Sequence, residues 1–476
     1  MWTGPGGCGA VLRIAWPLIL SHGAYTLQLF LDSVLLARHS SAEMAAAVQG
    51  GLVHFTILSL FFGVASYVNT FVAQYVGAGR GQRVGPAVWQ GIHFSLVSGG
   101  VLLVFIPAAE GIFAWVGHAP AQRAYETTYF RILTAGSAAP LISLAATSFF
   151  TGQGKTWVVC LINSGATLVN VLGDYALIFG RWGFPELGVA GAAGATVASS
   201  VFAAAAFLAL FLRRGCRRQF ATLSGWKPDG PLLGRLLRFG VPNGVQFLLD
   251  MLAFSLFIVL VGRIDAVACE ATSLAVRINA LAFMPMIGVG IAVSTLVGQA
   301  LGRNRPDLAR RATWSAFYLT FAYMTLVALG YWLLPYWFLL PFVNRGNLSD
   351  TAALGPVLAN LLGFVAFYCL FDGGNIIFAA TLKGAGDTRF VMILSMVFGW
   401  ALMVVPTFLA VRWRWGPGHG LYAAWVFCTF WVCALAVAFL LRFLQGKWQF
   451  MRVIEAAPAG LSPLAPEPST ASVKNS

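Results

Sequence analysis

Four carboxylates stand where carboxylates are costly. Asp32, Asp174, Asp250 and Asp372 each fall within a long apolar run, and a charged acid at the centre of a bilayer costs at least about 2.5–3.5 kcal/mol. Such acids are either satisfied by an arginine or a helix end, or they carry an ion or a proton; four together, away from loops, point to the second. Asn170 and Asp174 are four residues apart and so share a helix face. With Thr196 from the next run and Asp32, they offer two carboxylates, an amide oxygen and a hydroxyl, hard oxygens suited to a small hard cation or a shared proton. No imidazole or thiol joins them, which argues against a transition metal. Arg277 also lies inside an apolar run, where it either neutralises Asp250 across the neighbouring helix or snorkels outward. Pro17 frees a backbone carbonyl and kinks the helix that carries Asp32. That bend either couples protonation to helix shape or is a fixed kink.

The elements that must position these groups are membrane spans. Of 476 residues, 59% are hydrophobic and 10% charged, with a mean hydropathy of +0.78, which excludes an ordinary soluble protein with roughly 25% charged residues. At about 20 apolar residues per spanning helix there is room for roughly 10 to 13 spans. Apolar runs near 11–37, 50–76, 86–108, 126–150, 157–180 and 188–212 form an amino-terminal lobe (1–212), and runs near 239–262, 270–298, 312–340, 355–381, 390–411 and 420–443 form a carboxyl-terminal lobe (239–454). Between them lies a basic linker, 213–238, and after them a Pro/Ala/Ser-rich tail, 455–476, too poor in apolar residues to build a core. The chain is read as an all-α integral membrane protein of twelve transmembrane helices. The first run is too long, and its start too poor in basic residues, for a cleaved signal peptide. Seven cysteines without paired spacing read as apolar fillers rather than a disulfide or zinc framework.

The net charge of +14 suggests a polyanion partner until the 30 basic residues are placed. Most, including Arg13, Arg80, Arg83, Lys155, the linker arginines, Arg303, Arg305, Arg310, Arg311, Lys383, Arg389, Arg442 and Lys447, fall in segments that share one side if both termini are cytoplasmic. That is the positive-inside pattern of a multi-pass protein of the cell membrane, the inner membrane in a bacterium. The charge is a topology signal, and no nucleic-acid partner is expected.

Self-similarity sets the architecture. Shifted by 225, Leu12, Arg13 and Pro17 fall on Leu237, Arg238 and Pro242, and Gln74, Gly77 and Arg80 fall on Gln299, Gly302 and Arg305. Gly152, Gly154 and Thr156 echo Gly384, Gly386 and Thr388 with a shift of 232. Each half has six spans, an even number, so the halves are parallel repeats related by an axis along the membrane normal, with substrate sites between them. The acids do not obey the repeat: Asp250 falls on Tyr25 and Asp32 on Phe257. Each half is therefore expected to have specialised its own pocket.

An integral-membrane enzyme lacks support: the six histidines show no metal-ligand spacing, no nucleophile elbow occurs, and Gly154-Lys155-Thr156 lacks the upstream glycine of a phosphate-binding loop, position 149 being Phe149. Without a nucleotide site, transport must be secondary.

Taken in order, these motifs resemble the multidrug and toxic compound extrusion (MATE) transporters: Pro17 to Asp32, Gln74-Tyr75-Val76-Gly77, Gly152-Gln153-Gly154-Lys155-Thr156, Asn170 with Asp174, Leu187-Gly188-Val189-Ala190-Gly191-Ala192, Gly240-Val241-Pro242 before Asp250, Leu296 to Gly302, and Asp372 before Lys383-Gly384. The resemblance covers roughly residues 11–445 and lies in both halves. It implies a V-shaped, two-lobed alternating-access antiporter that expels cationic, amphiphilic compounds in exchange for Na⁺ or H⁺, with no cofactor beyond that coupling ion. It places the amino-lobe cation or proton site at Asp32, Asn170, Asp174 and Thr196, and a carboxyl-lobe acidic site at Asp250 and Asp372. The branch with carboxyl-lobe acids often carries Glu where this chain has Asp250 and lacks a second amino-lobe acid; here both lobes carry acids. The expected partners are cationic organic molecules and the lipid bilayer. One chain holds both lobes, so no obligate protein partner is expected. The alternative is a flippase of lipid-linked precursors on the same fold, whose cavity would need several basic groups for a pyrophosphate; only Arg131 and Arg277 qualify.

Overall fold

The computed structural model describes residues 2, 4–116, 120–339, 348–413 and 417–456, and among these no strand occurs. The first half comprises α1 (Cys8–His39), α2 (Ser41–Ser66) continuing as α3 (Val68–Gly77), α4 (Val84–Leu102) with α5 (Phe105–Val116), α6 (Pro120–Ala135) with α7 (Ala138–Gly152), α8 (Thr156–Ile178) and α9 (Val189–Phe211). A short α10 (Arg214–Phe220) leads to the second half: α11 (Gly230–Gly262), α12 (Ala266–Gly302), α13 (Pro306–Leu333), α14 (Pro335–Leu339), α15 (Leu348–Ala385), α16 (Thr388–Phe398), a π-helical turn (Gly399–Val404), α17 (Val405–Arg412) and α18 (Pro417–Leu444).

Among the described residues ten helices are long and apolar enough to cross a membrane, and two bent pairs, each counted as one span, bring the total to twelve. The pairs bend by 52° between α4 and α5 and by 43° between α6 and α7. Each break falls four residues before a proline, Pro107 and Pro140. A proline removes the amide that would bond the carbonyl four residues back and pushes its ring against it, so the helix bends there. α1, by contrast, runs as one helix through Pro17.

The seventh span starts earlier than the apolar run suggested. Asp229 caps α11, accepting from Leu232 N at 3.0 Å, and Pro231 occupies the first turn, a favourable helix start. Residues 230–238 of the basic stretch are therefore helix rather than linker. The expected tail, 455–476, lies mostly outside the described residues, but Glu455 is held in place by hydrogen bonds and ion pairs.

The two lobes share one large apolar core at the end of the bundle that carries the basic residues: Val11, Phe71, Phe149 and Phe207 of the first half pack in one cluster with Val297, Phe378, Phe439 and Phe443 of the second. Toward the other end the clusters are separate, one in the second half around Phe257, Leu361 and Trp425 and three smaller ones in the first. Two lobes joined at one end and separately packed at the other make the expected V.

Where the lobes meet, the repeat is reciprocal. Gln74 Nε2 donates to Gly384 O (3.0 Å), and its repeat partner Gln299 Nε2 donates to Gly152 O (2.8 Å), the repeat partner of Gly384. Gly77 and Gly302, also partners, let the two backbones cross: a Cβ on Gly302 would stand 2.8 Å from Ala78 N and 3.0 Å from Gly77 Cα, and a Cβ on Gly77 2.8 Å from Gln299 Cα. Tyr67 to Lys383 O (2.8 Å), Asn69 to Thr295 (3.0 Å) and Asn243 to Gly63 O (2.6 Å) add to the seam.

Candidate functional site

In the amino-terminal lobe the four expected residues come together. α1 and α8 face each other along a polar seam in which Asn163 donates to Ser21 (2.7 Å) and Thr167 to Gln28 (3.4 Å). Ser21, Gln28 and Asp32 on one helix, and Asn163, Thr167, Asn170 and Asp174 on the other, recur at three-, four- and seven-residue steps and so form one stripe on each. At the end of the seam the Asp32 and Asp174 carboxyls lie within hydrogen-bonding reach of each other. Asn170 donates through Nδ2 to Thr196 Oγ1 (3.4 Å), while Thr196 donates to Ala192 O (3.1 Å). That leaves the Asn170 carbonyl oxygen without a donor.

The result is a group of acceptors facing acceptors. Asp174 and Asn170 are fully buried, and Asp32 Oδ1, both Asp174 oxygens and Asn170 Oδ1 are buried with no hydrogen-bond donor. Buried polar atoms are normally paired, and two facing carboxylates are stable together only with a proton or a cation between them. None of the ion pairs among the described residues involves Asp32, Asp174, Asp250 or Asp372. An arginine therefore does not satisfy these acids. Sequence reasoning missed Tyr129, which stands over the site within hydrogen-bonding reach of Thr196 and electrostatic reach of both carboxyls. It arrives from α6, a span whose polar face gave no pattern pointing to it. Tyr25, two turns before Asp32 on the same face of α1, also lies within electrostatic reach of that acid.

In the carboxyl-terminal lobe the two acids occupy separate surroundings. Asp250 accepts from Gln246 Nε2 (3.2 Å), which also donates to Ser395 on α16 (3.2 Å). Asp372 accepts from Asn375 Nδ2 (3.3 Å) and lies among Tyr368, Cys369, Cys428 and Cys433. No contact joins the two acids among the described residues. The basic group whose charge reaches Asp250 is Lys383, from the end of α15. Arg277 is exposed and, among the described residues, forms no ion pair with Asp250. The π-helical turn at Gly399–Val404 lies beside this pocket, with Ala253 Cβ 3.9 Å from where a Cβ on Gly399 would stand. A cleft of about 640 Å³ between α15 and α18 is walled by Phe364, Phe367, Phe371, Phe430 and Cys433, the last within electrostatic reach of Asp372. Among the described residues no three His, Cys, Asp or Glu side chains gather as a metal cage.

The MatE family model matches residues 17–176 and 242–409, one block in each lobe. A probable multidrug resistance protein NorM from Brucella suis is 30% identical over 414 residues, covering 86% of this chain and 87% of that protein. A second from Xanthomonas axonopodis pv. citri is 29% identical over 415 residues, 85% of this chain and 87% of that one. Among solved structures, a multidrug resistance MATE family transporter in an outward-facing conformation superposes with a TM-score of 0.84 at 19% identity, over 94% of this chain and 98% of that one. A MOP superfamily transporter from Pyrococcus furiosus superposes with a TM-score of 0.83 at 20% identity, over 94% and 97%. These relatives do not favour the lipid-precursor flippase. With family blocks matched in both lobes, a relative 30% identical over most of both chains and the twelve-span V, the chain belongs to the MATE family of multidrug efflux transporters.

Proposed function

We propose that this protein is a secondary antiporter that exports cationic, amphiphilic organic compounds in exchange for H⁺ or Na⁺ taken up at Asp32, Asp174 and Asn170. The observation that carries the reading is the set of donorless buried oxygens on those three residues, an arrangement that asks for one proton or one small cation. Because Thr196 gives its hydroxyl proton to Ala192 O and accepts from Asn170, its role is to aim the Asn170 carbonyl rather than to bind the ion. The interior field favours cations: four acids without ion pairs stand against Lys383, whereas Arg131 is paired with Glu110 at 3.0 Å. The aromatic cleft beside Asp372 supplies flat faces for a planar cation. Asp250 and Asp372 are proposed as the carboxyl-lobe substrate or ion contacts.

The cross-lobe hydrogen bonds among the described residues all lie in the half of the bundle toward the basic end. With the basic end and both termini in the cytoplasm, that is an outward-facing arrangement. A proton or Na⁺ entering from outside neutralises the carboxylate pair, loosens a bound organic cation, and lets the lobes rock inward.

The test is ethidium efflux from proteoliposomes under an imposed proton or sodium gradient, comparing the wild type with Asp32→Asn, Asp174→Asn and Asp372→Asn. Efflux driven by one gradient and lost in both amino-lobe variants supports the proposal and identifies the ion. Efflux under neither gradient, or full efflux in Asp32→Asn, overturns it.

A further inference from the structure

We propose that Glu455 is a positioning residue of the transport cycle: a carboxylate carried by the second lobe that clamps the first lobe's arginines and holds the cytoplasmic side shut. The proposal rests on the alternating-access reading above.

The segment after α18 belongs to the second lobe. Trp448 is fully buried, stacks on Phe443 at 5.2 Å and donates from Nε1 to Phe443 O at 2.8 Å. Val453 is buried in the shared core, and a Cβ on Gly386 would stand 3.0 Å from its Cγ1. Beyond that anchor the chain crosses to the first lobe. Val453 N donates to Gln74 Oε1 at 2.9 Å, so the side chain that already bonds Gly384 is used at both ends. Glu455 then accepts from the Tyr75 hydroxyl at 2.7 Å and from Arg83 Nε at 3.2 Å, and its backbone carbonyl accepts from Arg80 Nη1 at 2.8 Å. From the second lobe, Arg235 Nη1 meets Oε2, the oxygen that accepts from Tyr75, at 2.5 Å.

Two features make this a clamp rather than general surface pairing. The first is its asymmetry. The Gln74 and Gln299 contacts are reciprocal, but the corresponding segment of the first half docks on its own lobe, where Trp89 Nε1 donates to Thr222 O at 2.6 Å and a Cβ on Gly81 would stand 2.9 Å from Gln219 O. Of these two repeat-related segments, the carboxyl-terminal one crosses. The second is charge. Glu455 sits between Arg235 on one lobe and Arg80 and Arg83 on the other; Asp229 is the remaining acid in the group, 3.1 Å from Arg83. With the acid in place the lobes attract through charge-assisted hydrogen bonds. Without it, arginines of opposite lobes face each other with like charge.

The test reads the gate directly. Spin labels at Lys155 and Arg303, both exposed on the basic end of opposite lobes, report the distance across the cytoplasmic side. The background has Cys216, Cys269 and Cys433, the partly exposed cysteines, changed to serine. Glu455→Gln should raise the ratio of open to closed distances about tenfold or more, on the strength of the charged hydrogen bonds lost, while Glu455→Asp stays near the wild type. Glu455→Gln combined with Arg235→Gln should move back toward the closed distribution, because the like-charge contact is gone. Asp307→Asn breaks the Arg305–Asp307 pair within one lobe and should leave the distances unchanged. An unchanged distribution in Glu455→Gln, no recovery in the double variant, or an equal shift in Asp307→Asn overturns the proposal. The measurement needs no gradient and no organic cation, so it can fail while the antiport reading stands, and the reverse.

Discussion

Gly302→Ala probes the crossing of the lobes most directly. The new Cβ would overlap Gln74 O and stand 2.8 Å from Ala78 N, where essentially no Cβ approaches another heavy atom closer than 3.0 Å. The obstacle is backbone, so the helices must part by on the order of 1 Å, enough to carry hydrogen bonds of about 3 Å past their useful range. The bonds at stake are Gln74 to Gly384 O, Gln299 to Gly152 O and Val453 N to Gln74. At about 0.5–1.5 kcal/mol each, their loss disfavours the closed seam by about 1.5–4.5 kcal/mol. That is a roughly ten- to two-thousandfold rise in the open fraction; the better helix propensity of alanine does not offset it, because α12 is helical on both sides of that equilibrium. Hydrogen exchange at the Val453 amide reads this, since that proton exchanges only when its bond to Gln74 opens. Its exchange should speed by the same factor. Gly100→Ala, where a Cβ meets nothing within 4 Å, is the control and should leave Val453 unchanged. A folded Gly302→Ala protein in which Val453 exchanges at the wild-type rate would refute the argument from backbone crossing.

Further expectations concern the charges. Asp32→Asn and Asp174→Asn should each remove coupled efflux almost entirely, and the double variant should be no worse than either, since the pair holds its ion as a unit; additive losses in the flux assay would contradict a shared site. Arg277→Gln should change transport by less than about twofold because the side chain is exposed and unpaired with Asp250, and a tenfold loss in the efflux rate would restore the neutralising role. Gln246→Leu should weaken transport through Asp250, removing a 3.2 Å bond to it and another to Ser395, with a cost of about 1–3 kcal/mol visible as a lower apparent affinity in a dose series. Burial works to raise the Glu455 pKa, but the Tyr75 hydroxyl and the Arg235 charge outweigh it and hold the carboxyl down at about 2. A depressed acid stabilises above its unfolded value of 4.5 and loses that contribution as pH falls toward 2. In an Asp32→Asn, Asp174→Asn background, which removes the titration of the coupling pair, the Lys155–Arg303 label distances should therefore be flat at every pH above 4.5, and a shift between pH values in that range would count against the clamp's geometry.

The span count and the repeat were legible because they are periodic and long. Bilayer thickness demands runs of about 20 apolar residues, and a repeated Gln-x-x-Gly is hard to produce by chance in apolar sequence. The amino-lobe site was legible for the same reason: Asn170 and Asp174 share a face by spacing alone, and Asp32 lacked any other partner. What was hidden depends on which helices touch. Lys383 lies far from Asp250 in sequence, and the packing of α11 against α16, the helix that follows α15, brings their charges together. Asp250 and Asp372 share a lobe but not a pocket, since Gln246 and Asn375 each hold one in place. The breaks in the third and fourth spans were encoded by Pro107 and Pro140, but proline within a span bends or breaks a helix according to its neighbours, and Pro17 does not break α1. Glu455 stood at the head of the expected tail because a single acid before a Pro-rich stretch has no pattern; the three arginines around it are supplied by distant segments.

The reciprocal seam bears on how such a chain could be assembled from parts. Each half contributes one glutamine donor, one glycine crossing and one accepting carbonyl to the other, the self-complementary logic of a twofold dimer. Recognition between halves is thus written into the halves and not into the peptide that joins them. A chain cut between Ala221 and Asp229 and expressed as two polypeptides has what it needs to find its own partner in the membrane. The segment ending at Glu455, together with the one-sided contacts of Tyr67, Asn69 and Asn243, tells the two apart, so a dimer of two second halves would carry two clamps and no matching set of arginines.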